Sequence, residues 1–434
     1  MEMKWKESLL KLNRNVLYGV TLIQIVMGAL WVFFQFPHLQ EWQSTFEYLE
    51  ISENFVLDEY TGFLYPAFLR LFTEAQKWTG VPFYMPLYLL QLAAAVVTAG
   101  LFGKGVLKLQ KEQAWWFAGY FVSFPLLLQF HLSIRPESLT LSGTMLLTWL
   151  FSKRSVIAAP FATMLLIWLM PENAVICTVM WTVYLFLQIK AGKGFCLRLA
   201  VFVTALLTGL FMNGLTQTPG SRGRIQKTFW AAAFQRVVTD YFSRSYAMWD
   251  DEVRTTFTIE EAMEQAKRTD NMMYSAGPML EADWGKQRAN ELYRQMALDC
   301  LRVRTRDVVY RIRDDLLDSA LMPYSLLWQG SGGRKSQTGW NYAKFRENSP
   351  GLSRFYIEYA GLASAVLLVT GIAAGFLVKS RRRRFLIFLP PAVTQCLLHV
   401  LKDGNAVDYG GLLMVTGFWC IMVFYSIIAA RNGE

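Results

Sequence analysis

Ten apolar runs, almost free of internal charge, punctuate this chain, and the stretches between them are alternately basic and mixed or acidic. The runs are Val16–Phe36, Phe83–Phe102, Ala114–Phe130, Ser138–Phe151, Val156–Met170, Ala174–Ile189, Leu199–Met212, Phe355–Val378, Phe385–Val400 and Tyr409–Ala430. Several approach the roughly 20 residues that span hydrocarbon, and the shorter ones need tilt, breakage or shielding by neighbours. The expected fold is therefore an all-α polytopic membrane protein with about ten transmembrane helices.

Short loops rich in Lys and Arg stay on the cytoplasmic side. The basic segments are Lys4/Lys6/Lys11/Arg14, Lys104/Lys108/Lys111, Lys153/Arg154, Lys190/Lys193/Arg198 and Lys379 with Arg381–Arg384. With ten spans all of them share one side, and both termini join them. The opposite side receives 37–82, His131–Glu137, Pro171–Asn173, 213–354 and Lys402–Val407. That side carries Asp58, Glu59, Arg135, Glu137, Glu172 and Asp403, so a site built from them faces out of the cell.

Over 434 residues the formal net charge is +10, and much of the excess falls on the cytoplasmic loops that set topology and meet anionic lipid. The charge thus points to the membrane as a partner, and no nucleic-acid module accompanies it. The first apolar run has no small-residue cleavage site before Pro37, which suits an uncleaved signal anchor. Of five cysteines only Cys300 falls in the large outer segment, so no disulfide framework is implied.

Three regions are expected: an N-terminal block of about seven spans over 1–212, with the outer loop 37–82; an extracytoplasmic helical domain over 213–354; and a three-span block over 355–434. The insertion is too long for a structureless connection. Within it, Ser221–Phe242 repeats aromatic and apolar residues at helical spacing among Arg222, Arg224, Lys227 and Arg236, the pattern of a helix lying on a membrane surface. Thr258 and Glu261 have capping-box spacing for a short helix to about Arg268. A longer helix, or a broken pair, is expected over Ala282–Leu321, ending before Pro323. There is no internal repeat, no Gly-rich phosphate loop and no Ser/His/Asp pattern, which argues against a nucleotide-driven pump.

Chemistry concentrates in a few outer positions. In the first loop Asp58 and Glu59 precede Tyr65-Pro66, placing acid groups just outside the hydrocarbon. A carboxylate there takes a proton from an incoming hydroxyl if burial or a neighbour tunes it; an ordinary solvated acidic loop is the alternative. His131-Leu-Ser-Ile-Arg-Pro-Glu137 joins the third and fourth runs. Arg135 there offers two parallel donors to a phosphate, or else snorkels to headgroups or pairs with Glu137. Glu172, in the turn Pro171–Asn173, either faces a cavity or caps a hairpin. His399 and Asp403 form a last polar corner. The three histidines, His38, His131 and His399, lie near the outer boundary without metal-ligand spacing. No metal or cofactor is expected.

An acidic pair in the first outer loop followed by Tyr-Pro, an Arg-Pro-Glu at the outer end of the third span, and a large outer domain between late spans together resemble the GT-C superfamily. These membrane glycosyltransferases use polyprenyl-phosphate sugars, as the protein O-mannosyltransferases and lipid A aminoarabinose transferases do. The resemblance covers the N-terminal block to about Met212, and the remainder by architecture. It implies transfer of a hexose or pentose from a polyprenyl-phosphate donor to a lipid, glycan or protein acceptor at the outer face of the cell membrane. By residue, it implies Asp58 as base, with Glu59 as the alternative; Arg135 on the donor phosphate; and Tyr65, Glu137, Glu172, His399 and Asp403 around the cavity and acceptor. The last polar motif of many such proteins contains Arg-Tyr, whereas here the stretch reads Asn405-Ala-Val-Asp-Tyr409. A transporter or lipid flippase is one rival, although such proteins place charges nearer the bilayer midplane and show repeated halves. A non-catalytic envelope assembly protein that binds through its outer loop is the other.

Overall fold

A computed structural model describes all residues except 1, 36–42, 56–61, 190–194, 217–228, 239–240, 262–271, 322–350, 378–383, 404–408 and 430–434. The described residues are helical and contain no strand. They divide into two compact units. The first comprises 1–218, 322–394 and 412–434, and the second 219–321 with 395–411.

In the first unit the chain forms α1 (Glu2–Gln35), α2 (Gln43–Asn54), α3 (Leu64–Thr79), α4 (Tyr84–Gly105), α5 (Lys111–Ser123) and α6 (Pro125–His131). It continues through α7 (Glu137–Ser152), α8 (Ala158–Leu169), α9 (Asn173–Ile189) and α10 (Phe195–Thr216). The apolar run Ala114–Phe130 is two helices, not one. Phe124 turns the chain with φ −58° and ψ 127°, and Pro125 opens α6 at its first helical position. The cause is local: proline disfavours the helical conformation in the residue before it and lacks the N–H that a continuing helix needs. Helix α10 runs through Asn213 to Thr216, past the boundary expected at Met212. Asn213 Nδ2 donates to Ile167 O at 2.7 Å, tying α10 to the outgoing end of α8.

Among the described residues three helices are long and apolar enough to cross a membrane, at Asn15–Phe33, Tyr84–Gly105 and Phe195–Leu215. Shorter apolar helices occupy 158–169, 173–187, 359–372, 384–398 and 413–428. The last ones belong to the C-terminal helices α14 (Gly351–Leu377), α15 (Leu389–Asp403, preceded by a 3₁₀ turn at Arg384–Phe388) and α16 (Tyr409–Ala429). Phe117 and Tyr120 of α5 meet Phe424 of α16, and Phe102 of α4 meets Phe388, so aromatic edges close the first unit around α4, α5 and α16.

The second unit is built from α11 (Phe229–Val238), α12 (Asp251–Thr256) and α13 (Met272–Leu321). Helix α13 is interrupted at Gly285, with φ 75° and ψ 158°, and at Arg304. Glycine takes the first of these without a Cβ penalty. Phe234, Phe242, Trp249, Leu292, Tyr293 and Met296 form its core. The apolar face of α11 is thus covered by its own unit, which corrects the expectation of a membrane-surface helix for Phe229–Val238, while 221–228 lies outside the described residues: helical spacing reveals an apolar face but not what covers it. The Thr258 capping box forms, with Thr258 N–H donating to Glu261 Oε2 at 2.8 Å and Glu261 N–H to Thr258 Oγ1 at 3.2 Å. The helix expected beyond it, like the glycine-rich 330–339, lies outside the described residues.

Candidate functional site

The residues with chemistry gather at one corner of the first unit, where α6 turns into α7. His131 ends α6, and Pro136 precedes the first turn of α7, so the intervening backbone runs without a helix to pair it. Gln91, inside the apolar run of α4, supplies the missing partner. Its Nε2 donates to His131 O at 2.8 Å and to Ser133 O at 2.9 Å. Its Oε1 accepts from the Tyr65 hydroxyl at 3.3 Å. One buried carboxamide therefore joins α3, α4 and the α6–α7 connection. Each such bond contributes about 1 kcal/mol net, but a buried partner left unpaired costs about 1–3 kcal/mol.

Arg135 and Glu137 are both buried and paired. Arg135 Nε donates to Glu137 Oε1 at 3.0 Å, and a terminal guanidinium nitrogen reaches the same oxygen. The guanidinium also lies 6.0 Å from the Phe130 ring centroid. Of the alternatives open for Arg135, the geometry contains the ion pair and not an extended, solvent-reaching side chain. Breaking a buried pair by removing one member costs about 3–5 kcal/mol, because the other charge is stranded. Glu137 Oε2, His131 Nε2 and both ends of the Gln129 carboxamide are buried and have no hydrogen-bond partner among the described residues. His131 Nδ1 sits 2.7 Å from Ser138 Oγ. Burial pushes its pKa down to about 3, so the imidazole is neutral at physiological pH.

Tyr65 stands at the first turn of α3, fully buried, edge-on to Tyr48 at 5.3 Å. Burial raises its pKa well above the ordinary phenol value, with Tyr48, Glu137 and Tyr88 acting in the same direction and Arg135 opposing. The phenol is thus a donor at physiological pH, within electrostatic reach of the Arg135–Glu137 pair. Next to α3, Gly62 lies against the end of α8: a Cβ there would stand 2.6 Å from the Leu169 carbonyl carbon, and closer still to Trp168 O. Only glycine permits that approach. Phe63 and Trp168 meet beside it, with centroids 5.2 Å apart. The α8–α9 turn is held by Asn173, whose Nδ2 donates to Leu166 O at 2.9 Å and Thr140 Oγ1 at 3.0 Å. Glu172 is half-buried beside it.

Four of the expected positions, Tyr65, Arg135, Glu137 and Glu172, are described, and the first three come together. Asp58 and Glu59 lie outside the described residues; the chain resumes at Gly62. His399 and Asp403 fall on α15, with side chains outside the described set, and His38 is outside it as well. Gln91 was missed by sequence reasoning, although a carboxamide in the middle of Leu-Tyr-Leu-Leu-Gln-Leu-Ala was a signal, since polar groups inside spans are costly unless used. No group of three His, Cys, Asp or Glu side chains able to hold a metal occurs among the described residues.

An apolar groove of about 780 Å³ adjoins this corner. It is lined by Ile25 and Val32 of α1, Leu92 and Val96 of α4, Val122 of α5 and Leu128 of α6, and it reaches Leu132. That last residue is three positions before Arg135. No family model, curated protein or solved structure matches this chain.

Proposed function

We propose that this protein is a polytopic membrane glycosyltransferase that moves a sugar from a polyprenyl-phosphate donor to an acceptor at the outer face of the cell membrane. The observation that carries the reading is the apolar groove whose lining includes Leu132, in the segment that also bears the buried Arg135–Glu137 pair. A groove of this volume suits a linear hydrocarbon tail, and the buried Arg135–Glu137 pair, three and five residues beyond Leu132 in sequence, suits the phosphate of the same lipid. Glu137 orients the guanidinium plane, and Arg135 meets negative charge as the glycosidic bond breaks. Asp58, or Glu59 beside it, takes the acceptor proton. Tyr65 and Glu172 face acceptor and sugar.

The proposal includes ten spans, both termini on the cytoplasmic side and residues 213–354 outside. The support is the charge of the short loops, together with three helices of spanning length and five shorter apolar ones among the described residues. A lipid transporter would use the same groove, so the deciding measurement is chemical. Mass spectrometry of envelope glycans and polyprenyl-linked sugars compares cells with the protein, without it and with Asp58→Asn. Loss of one modification with build-up of its outer-leaflet donor, and a transfer rate about 100-fold lower for the Asn variant, is the expected result for a lost general base. An unchanged glycan profile would refute the transferase reading, and donor retained on the inner leaflet would favour transport.

A further inference from the structure

The geometry points to α3 as a helix that lies in a membrane interface, with Leu71 and Trp78 against the lipid and Arg70, Glu74 and Lys77 in water. Three faces can be read on it. Tyr65 and Leu69 point into the protein and are fully buried. Arg70, Glu74 and Lys77 form an exposed polar face, with Lys77 Nζ donating to Glu74 Oε1 at 2.6 Å. Leu71 and Trp78, seven residues apart and so on one side of the helix, are 61% and 88% exposed.

A tryptophan left that open is costly in water and favourable at a headgroup boundary, where its ring is apolar and its N–H remains hydrated. The occupant follows from continuity along the chain. Gly80, left-handed at φ 70°, ends α3, and α4 starts four residues later. Helix α4 is one of the candidate spans, and its own exposed apolar residues include Leu89 at 68%. Val81 and Met85 carry exposed apolar surface across the junction, so the exposed apolar sides of α3 and α4 follow one another in sequence with one exposed polar side chain, Thr79, between Trp78 and Val81. A charged face, an apolar face and low net hydrophobicity are the pattern of an in-plane helix, and the zwitterionic or anionic lipid boundary is the partner that satisfies both sides. Since Tyr65 begins this helix, the seat of α3 in the interface also sets the depth of the candidate site.

The inference rests on the membrane reading of α4 and not on glycosyl transfer. The test uses the full chain with Cys196→Ser, which removes the exposed native thiol among the cysteines and leaves the four buried ones. Nitroxides are attached singly through Leu71→Cys, Trp78→Cys, Glu74→Cys, Lys77→Cys and Leu89→Cys, in vesicles of phosphatidylcholine and phosphatidylglycerol. Relaxation by oxygen, which partitions into acyl chains, is compared with relaxation by a water-soluble nickel chelate. The labels replacing Leu71, Trp78 and Leu89 should favour oxygen, and those replacing Glu74 and Lys77 should favour nickel. If the Leu89 label favours oxygen while those at Leu71 and Trp78 favour nickel or are shielded from both, α3 does not lie on the bilayer. A Leu89 label that favours nickel would remove the membrane reading itself, and this inference with it.

Discussion

Helices α3 and α11 are both short, both amphipathic and both rich in aromatic residues, yet their apolar sides end in different places. In α11, Phe234, Val237 and Val238 are buried in a core completed by Leu292, Tyr293 and Met296 of α13. In α3 the buried side is narrow, and Leu71 and Trp78 on another side stay open. The difference teaches that amphipathicity measures a need for cover and not its source. The second unit covers its helix with its own side chains, whereas on the inference above lipid covers the open side of α3, next to the candidate span α4.

The largest effect should come from Phe234→Ala, which empties a fully buried aromatic position in the second unit. A loss of about 3–5 kcal/mol is expected for that unit, read as faster amide exchange in α11 and in the middle of α13. Unchanged protection there would mean that the α11 face is not a core face, and the comparison would collapse. A smaller effect is expected at the anchored end of α3. Gly62→Ala inserts a methyl group against the Trp168 and Leu169 carbonyls and should cost about 1–3 kcal/mol in detergent, read as a lower midpoint of thermal unfolding. A silent Gly62→Ala would show that the chain is not pinned to α8 at this point. Trp78→Ala should change stability least, by no more than about 0.5 kcal/mol in the same assay, since the ring touches little protein. A loss as large as that of Phe234→Ala would place Trp78 in a protein core and make the two helices alike.

Much of the helical architecture was legible because the patterns are local. The apolar runs became helices, the Thr258–Glu261 spacing became a capping box, and of the two options for Ala282–Leu321, a longer helix or a broken pair, the structure has the break, at Gly285 and Arg304. The third run was legible too in hindsight, since Pro125 announces its break. Arg135 and Glu137 were identified as chemistry-bearing, but their mutual pairing stood beside two other readings: a two-residue separation in a loop leaves the directions of both side chains open. Gln91 was overlooked for the opposite reason. Its partners are Tyr65, 26 residues before it, and the His131 and Ser133 carbonyls, 40 and 42 residues after it, so no window of sequence contains them.

By itself the sequence determined the helical class and the positions of the apolar segments, because hydrophobic periodicity, proline and capping act over a few neighbouring residues. Only the tertiary structure decided which polar groups share a corner, that Arg135 is held by Glu137, that one carboxamide on α4 clamps the connection between α6 and α7, and that α11 is covered while part of α3 is not. Those outcomes depend on which distant segments come within hydrogen-bond and van der Waals distance, a property of the packed chain that local spacing does not encode.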